Sequence, residues 1–168
     1  MKHLLLAALC LLCCEFSFSQ TRVIEGDALK NLIVRSEKPY KLVYIFCDYC
    51  QASVERFPQV LKTLKENNDV ELFAVCAQGS GEVASYVEEN KITETIYMIN
   101  QDRKKRLIDF YNPVQYTCGF MEELFGISAE KMGASDFCVL DKDNRVIVQT
   151  DYEMTDAVYF DKLKKIGK

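Results

Sequence analysis

The sequence predicts an α/β sandwich, a mixed central β-sheet flanked by helices, with a helical insertion before the last β-hairpin. Three observations lead there. Two short, nearly continuous apolar runs, at 42–46 and 70–75, suit strands covered on both faces. Between them Phe57, Val60, Leu61 and Leu64 recur at the i, i+3, i+4, i+7 spacing of an amphipathic helix. Near the C-terminus, segments 136–140 and 145–150 flank Asp141-Lys142-Asp143-Asn144, which has hairpin-turn chemistry.

The chain opens with Lys2, an apolar stretch from Leu4 to about Cys14, and Ser17-Phe18-Ser19 as a small-x-small cleavage site before Gln20. Residues 1–19 therefore read as a secretory signal peptide, because a membrane-spanning helix needs roughly 20 apolar residues. The expectation is export to the periplasm, with residues 20–168 forming one domain and no stable membrane span after cleavage. A lipid anchor on Cys10, Cys13 or Cys14 is disfavoured, since the residues before each do not suit a small-residue lipidation box.

Helix-like spacing follows at Ile24, Leu29, Leu32 and Ile33, and Lys38-Pro39 punctuates the chain before the first apolar strand. The amphipathic helix runs from about Ser53 and stops at Asn67-Asn68-Asp69. After the second strand, Gly79-Ser80-Gly81 supplies a turn, Val83, Ala84 and Val87 mark a helix, and 95–99 is a third strand. The insertion, about 101–132, holds a charged helix ending near Tyr111, a break at Asn112-Pro113 and a short helix at 121–125. A last helix after the hairpin turns Phe160, Leu163 and Ile166 inward.

The formal charge is −4, and removal of Lys2 and Glu15 with the leader leaves it unchanged. That balance argues against nucleic acid as a partner, which would favour a clustered basic face. The run Arg103-Lys104-Lys105-Arg106 reads instead as the solvated side of a helix. The single histidine, His3, lies in the leader, so the exported chain has no imidazole for general-base catalysis, zinc or haem. Three of the eight cysteines lie there too, leaving Cys47, Cys50, Cys76, Cys118 and Cys138. Only Cys47 and Cys50 are closely spaced, so a four-thiolate zinc site is not expected, nor is a cofactor. An odd number of thiols in an oxidising compartment leaves one without an internal partner.

Cys47 and Cys50 form a C-x-x-C at the junction of strand and helix. Phe46-Cys47-Asp48-Tyr49-Cys50-Gln51-Ala52-Ser53, followed by Phe57-Pro58, resembles the F-x-x-W-C-x-x-C segment of the thioredoxin superfamily, and within it the exported TlpA-like and ResA-like thiol-disulfide oxidoreductases. The segment from Gly133 to Val146, GASDFCVLDKDNRV, is similar to that family's G-T-P-T-F-V-L-I-D-K-D-G-K-V. The resemblance implies a thioredoxin-like sandwich, with Tyr49 at the tryptophan, Cys50 at the attacking cysteine, Ser53 at the resolving cysteine and Ser135 at the cis-proline. The working unit is then Cys50-Gln51-Ala52-Ser53, degenerate in its second thiol.

That substitution has a chemical consequence. A resolving thiol expels the mixed disulfide that the attacking cysteine forms, and serine cannot. The resemblance implies monothiol or atypical thiol-disulfide exchange through Cys50 with a cysteine-containing polypeptide or a redox partner protein. Tyr49, Ala134 and Ser135 would line the groove. A helix N-terminus favours a sulfur anion at Cys50, whereas the nearby Asp48 and Glu55 oppose it. Cys47 either restores a dithiol with Cys50 or packs as a small buried hydrophobe. Cys76 and Cys138 read as core. Cys118, beside Gly119 in the polar insertion, is expected to be exposed and available as an unconventional resolving thiol or a partner for Cys47. Without histidine and the second cysteine, the alternative is a redox-inactive module that keeps the fold for binding or structure. With no proline, the bond before Ser135 is expected to be trans.

Overall fold

The structure is a computed structural model that describes residues 21–77, 82–100 and 113–168. In chain order the elements are β1 (Thr21–Ile24), α1 (Gly26–Arg35), β2 (Tyr40–Ile45), α2 (Gln51–Leu64), β3 (Val70–Ala77), α3 (Val83–Glu89), β4 (Ile96–Ile99), α4 (Pro113–Phe125), β5 (Phe137–Leu140), β6 (Val146–Gln149) and α5 (Asp156–Lys164). The six strands form one sheet in the order β1-β4-β3-β2-β5-β6. β1, β4, β3 and β2 run parallel, and β5 and β6 are antiparallel to their neighbours.

β2 is apolar along its length because both of its faces are covered. Leu42 and Tyr44 face a core layer with Phe57 and Val60 of α2, Tyr86 and Val87 of α3, and Tyr159 and Leu163 of α5. Val43 and Ile45 face the opposite layer, with Leu29 and Ile33 of α1 and Cys118 and Met121 of α4. The register that sets this is Tyr44 opposite Ala74 on one side and Phe137 on the other.

Four expectations change. β1 is a strand at the sheet edge, where the spacing suggested helix from Ile24; of its four residues only Ile24 is buried, so the pairing with β4 decides its form. α4 spans Pro113–Phe125, well beyond 121–125. Proline suits a first helical position because it lacks only an N–H that has no helical acceptor. Far from lying exposed, Cys118 is buried, on the α4 stripe it shares with Met121 against the sheet. In α5 the inward aromatic is Tyr159, with Phe160 half-buried beside it, while Leu163 and Ile166 point inward as expected. The leader, the Gly79-Ser80-Gly81 turn and the charged segment through Tyr111 lie outside the described residues.

No helix among the described residues is long and apolar enough to cross a membrane.

Candidate functional site

Open α/β sheets bind ligands beyond the carboxyl ends of their parallel strands. Here β2 ends at Ile45, and the next residues, Phe46 and Cys47, are buried. Cys47-Asp48-Tyr49-Cys50 then makes a turn, with the Cys50 amide donating to the Cys47 carbonyl at 3.4 Å. Cys50 is the N-cap residue of α2, extended at φ −98° and ψ 112°. Its own side chain makes no capping bond, so the sulfur stands at the helix N-terminus uncommitted to the helix backbone.

Ser53, one turn into α2, is fully buried. Its hydroxyl accepts the Cys47 amide at 3.0 Å, and its carbonyl accepts the Tyr44 hydroxyl at 3.3 Å. The serine therefore straps the strand exit to the helix. Among the described cysteines, Cys47, Cys76, Cys118 and Cys138 are at most 5 % exposed, and Cys50 alone is half-buried. No disulfide joins any of the five.

Burial pushes the Cys47 thiol up, and the nearby Cys50 sulfur adds to the rise. Hydrogen bonding from the Tyr49 hydroxyl and from the backbone N–H groups of Tyr49 and Cys50 opposes it. Tyr49 itself is 58 % exposed. Burial also pushes the Cys118 and Cys138 thiols up to about 12, and Cys118 donates to the Met132 carbonyl at 3.4 Å. Both are sealed from solvent, so neither is placed for exchange with a partner.

The loop before β5 is pinned against the end of β2. The Ser135 amide donates to the Ile45 carbonyl at 2.8 Å, and the Ile45 amide donates to the Asp136 carbonyl at 2.8 Å. Ser135 is buried and sits at φ 77°, a left-handed conformation that costs a non-glycine residue energy. No cis peptide bond occurs among the described residues, so the bond before Ser135 is trans, as expected. Ala134 next to it is half-buried.

Two groups that sequence reasoning passed over hold this loop. Arg56 of α2 donates to the Ser135 hydroxyl at 3.0 Å and to Asp156 of α5 at 3.0 and 2.5 Å, and its guanidinium lies 4.9 Å from the Tyr159 ring centroid. Tyr159 in turn donates its hydroxyl to the Ser135 carbonyl at 2.6 Å. Asp136 is buried and accepts the Gly133 amide at 2.8 Å and the Thr150 hydroxyl at 2.9 Å. Burial raises its carboxyl to about 6 against those two hydrogen bonds and the Arg56 charge. An acidic residue abutting the apolar run Phe137-Cys138-Val139-Leu140 was the available signal for Asp136. Arg56 had none, since its partners lie far along the chain.

No cluster of three or more potential metal ligands occurs among the described residues. The chemistry on view is that of one accessible sulfur at a helix N-terminus with a second, buried sulfur across a tight turn.

No protein-family model matches the chain, and no curated protein matches it. Solved structures do. The thioredoxin domain of a thiol-disulfide oxidoreductase from Bacteroides vulgatus is 15% identical with a TM-score of 0.50, covering 79% of this chain and 81% of that one. StoA from Bacillus subtilis is 12% identical with a TM-score of 0.50, over 79% of this chain and 87% of its own. A thioredoxin-family thiol:disulfide interchange protein from Chlorobium tepidum TLS is 14% identical with a TM-score of 0.50, over 84% of this chain and 83% of its own. At such identities the likeness speaks to the fold alone: a thioredoxin-like mixed six-stranded sheet flanked, among the described residues, by five helices.

Proposed function

We propose that this chain, with its thioredoxin-like fold, takes part in thiol-disulfide exchange through Cys50. Its partner would be a cysteine-containing polypeptide or a redox partner protein, met in the periplasm after export by the leader. The observation that carries the reading is the contrast in exposure. Four of the described thiols are sealed in the core, and Cys50 opens to solvent at the N-cap of α2. A half-buried cysteine at a helix N-terminus is a setting in which exchange cysteines occur. Tyr49 and Ala134, the latter in the loop that the buried Ser135 anchors to the end of β2, supply the surface for the polypeptide around that sulfur.

A second reading, a redox-inactive binding or structural module, is favoured by Ser53, which fills the position of the second cysteine and is engaged with the Cys47 amide. Incubation with a disulfide-bonded peptide, trapping by acid and mass mapping separate the two. Exchange predicts a peptide adduct that Cys50→Ala abolishes, whereas a protein unmodified under native conditions supports the inactive module. Fractionation of cells expressing the full chain checks the compartment.

A further inference from the structure

We propose that Cys47 is the resolving thiol for Cys50, so that the dithiol runs in reversed order, with the nucleophile downstream and the resolving cysteine upstream on a turn held by Ser53. The inference deepens the exchange reading and rests on it.

The turn supplies the first argument. Residues i and i+3 of a β-turn have Cα atoms less than about 7 Å apart, and disulfides span Cα separations of about 4.4–6.8 Å. Cys47 and Cys50 occupy those two positions, joined by the i+3 to i hydrogen bond. The second argument is the surroundings of the Cys47 sulfur. Hydrogen bonding from the Tyr49 hydroxyl and from the Tyr49 and Cys50 amides offsets part of the rise that burial imposes on the Cys47 thiol. Such bonds favour the thiolate that must attack, while burial keeps the thiol raised on balance. Third, the Ser53 hydroxyl fixes the Cys47 amide. The serine that replaces the downstream thiol thus orients the upstream one. Burial gives the order of events: Cys47 is 1 % exposed and beyond reach of a protein disulfide, while Cys50 is accessible.

The steps balance as follows. The Cys50 thiolate attacks one sulfur of a substrate disulfide, forming a Cys50-substrate bond and expelling the other substrate sulfur as a thiolate that takes a proton from water. Cys47 then loses its proton and attacks the Cys50 sulfur. The Cys47–Cys50 disulfide forms, the Cys50-substrate bond breaks, and the second substrate thiolate leaves and is protonated. Two electrons pass from the dithiol to the substrate, and an external dithiol reductant restores the pair. Tyr49 is a positioning residue, since it acts through the Cys47 sulfur.

An aromatic disulfide that releases a coloured thiolate tests this on the reduced native protein. The wild type should release two equivalents in its rapid phase and yield a Cys47–Cys50 bridge on non-reducing mass mapping. Cys47→Ser and Cys47→Ala, checked for folding by circular dichroism, should release one and keep the aromatic adduct on Cys50. Cys50→Ser should lose the rapid phase. Tyr49→Phe should slow the second release relative to the first by about threefold to tenfold, the worth of one hydrogen bond. A second equivalent from the Cys47 variants, or a wild-type adduct on Cys50 as persistent as theirs, would overturn the proposal and leave exchange at Cys50 standing. No Cys50 adduct in any protein would overturn both.

Discussion

The Tyr86 hydroxyl of α3 donates to the Val54 carbonyl of α2 at 3.3 Å. Val54 is four residues before Pro58, which lies inside α2 and has no N–H to offer it. The tyrosine takes over the missing helical donor, and its ring packs 4.9 Å from Phe46 at the exit of β2. A proline that would otherwise leave a partly buried carbonyl unpaired is thereby tolerated one turn below the site. Tyr86→Phe should destabilise the protein by about 1 kcal/mol. In a Pro58→Ala background, where the amide returns, the same change should cost measurably less. Urea unfolding of the four proteins checks it, and equal costs in both backgrounds would refute the coupling.

Arg56 and Asp156 are paired, but their contributions should differ. Asp156 has a 69 % exposed side chain, so Asp156→Ala should cost within about 1 kcal/mol, the range of solvent-exposed ion pairs. Arg56→Ala removes the donor to the buried Ser135 hydroxyl and the stacking on Tyr159, and should cost about 1–3 kcal/mol. Comparable losses from the two variants in chemical denaturation would contradict this ranking.

Ser135 occupies the position at which the resemblance expects proline, and the structure predicts that proline is unwelcome there. Its φ of 77° is closed to a ring fixed near −65°, and its amide is committed to the Ile45 carbonyl. Ser135→Pro should lose about 3 kcal/mol or more, read from the midpoint of thermal or urea unfolding. Ser135→Gly separates the two effects: glycine relieves the left-handed strain but forfeits the bond to Arg56, so its loss should be well below that of the proline variant.

Asp136 makes stability depend on pH. Its carboxyl is raised from 3.8 to about 6 in the folded protein, mainly by burial, so the native state holds this proton more tightly than the unfolded chain. Stability from this group therefore falls as pH rises from about 4 to about 6 and is lost above that window, by an amount of roughly 3 kcal/mol. Asp136→Asn should remove that term. The stability of wild type minus that of the variant, measured by denaturation between pH 4 and 7.5, should decline across the window. A flat difference would show that burial does not perturb the carboxyl.

Periodicity alone determined most of this architecture. Apolar runs at β2 and β3, the stripe of Phe57, Val60, Leu61 and Leu64 in α2, and the turn chemistry between β5 and β6 mark elements whose causes lie within a few neighbouring residues. The junction of strand and helix at Cys50 was legible for the same reason, together with the assignment of Ser53 to the first helical turn. β1 was not, because a four-residue edge strand with one buried side chain takes its form from β4. Nor was the burial of Cys118, which depends on α4 docking against the sheet rather than on its polar neighbours in sequence. Only the tertiary structure decided which cysteine meets solvent, that Ser53 holds the Cys47 amide, and that Arg56 reaches Ser135 across 79 residues of chain. Local composition selects helix, strand and turn, whereas contacts between distant residues exist only once the closed chain has offset its loop entropy by burying both faces of the sheet.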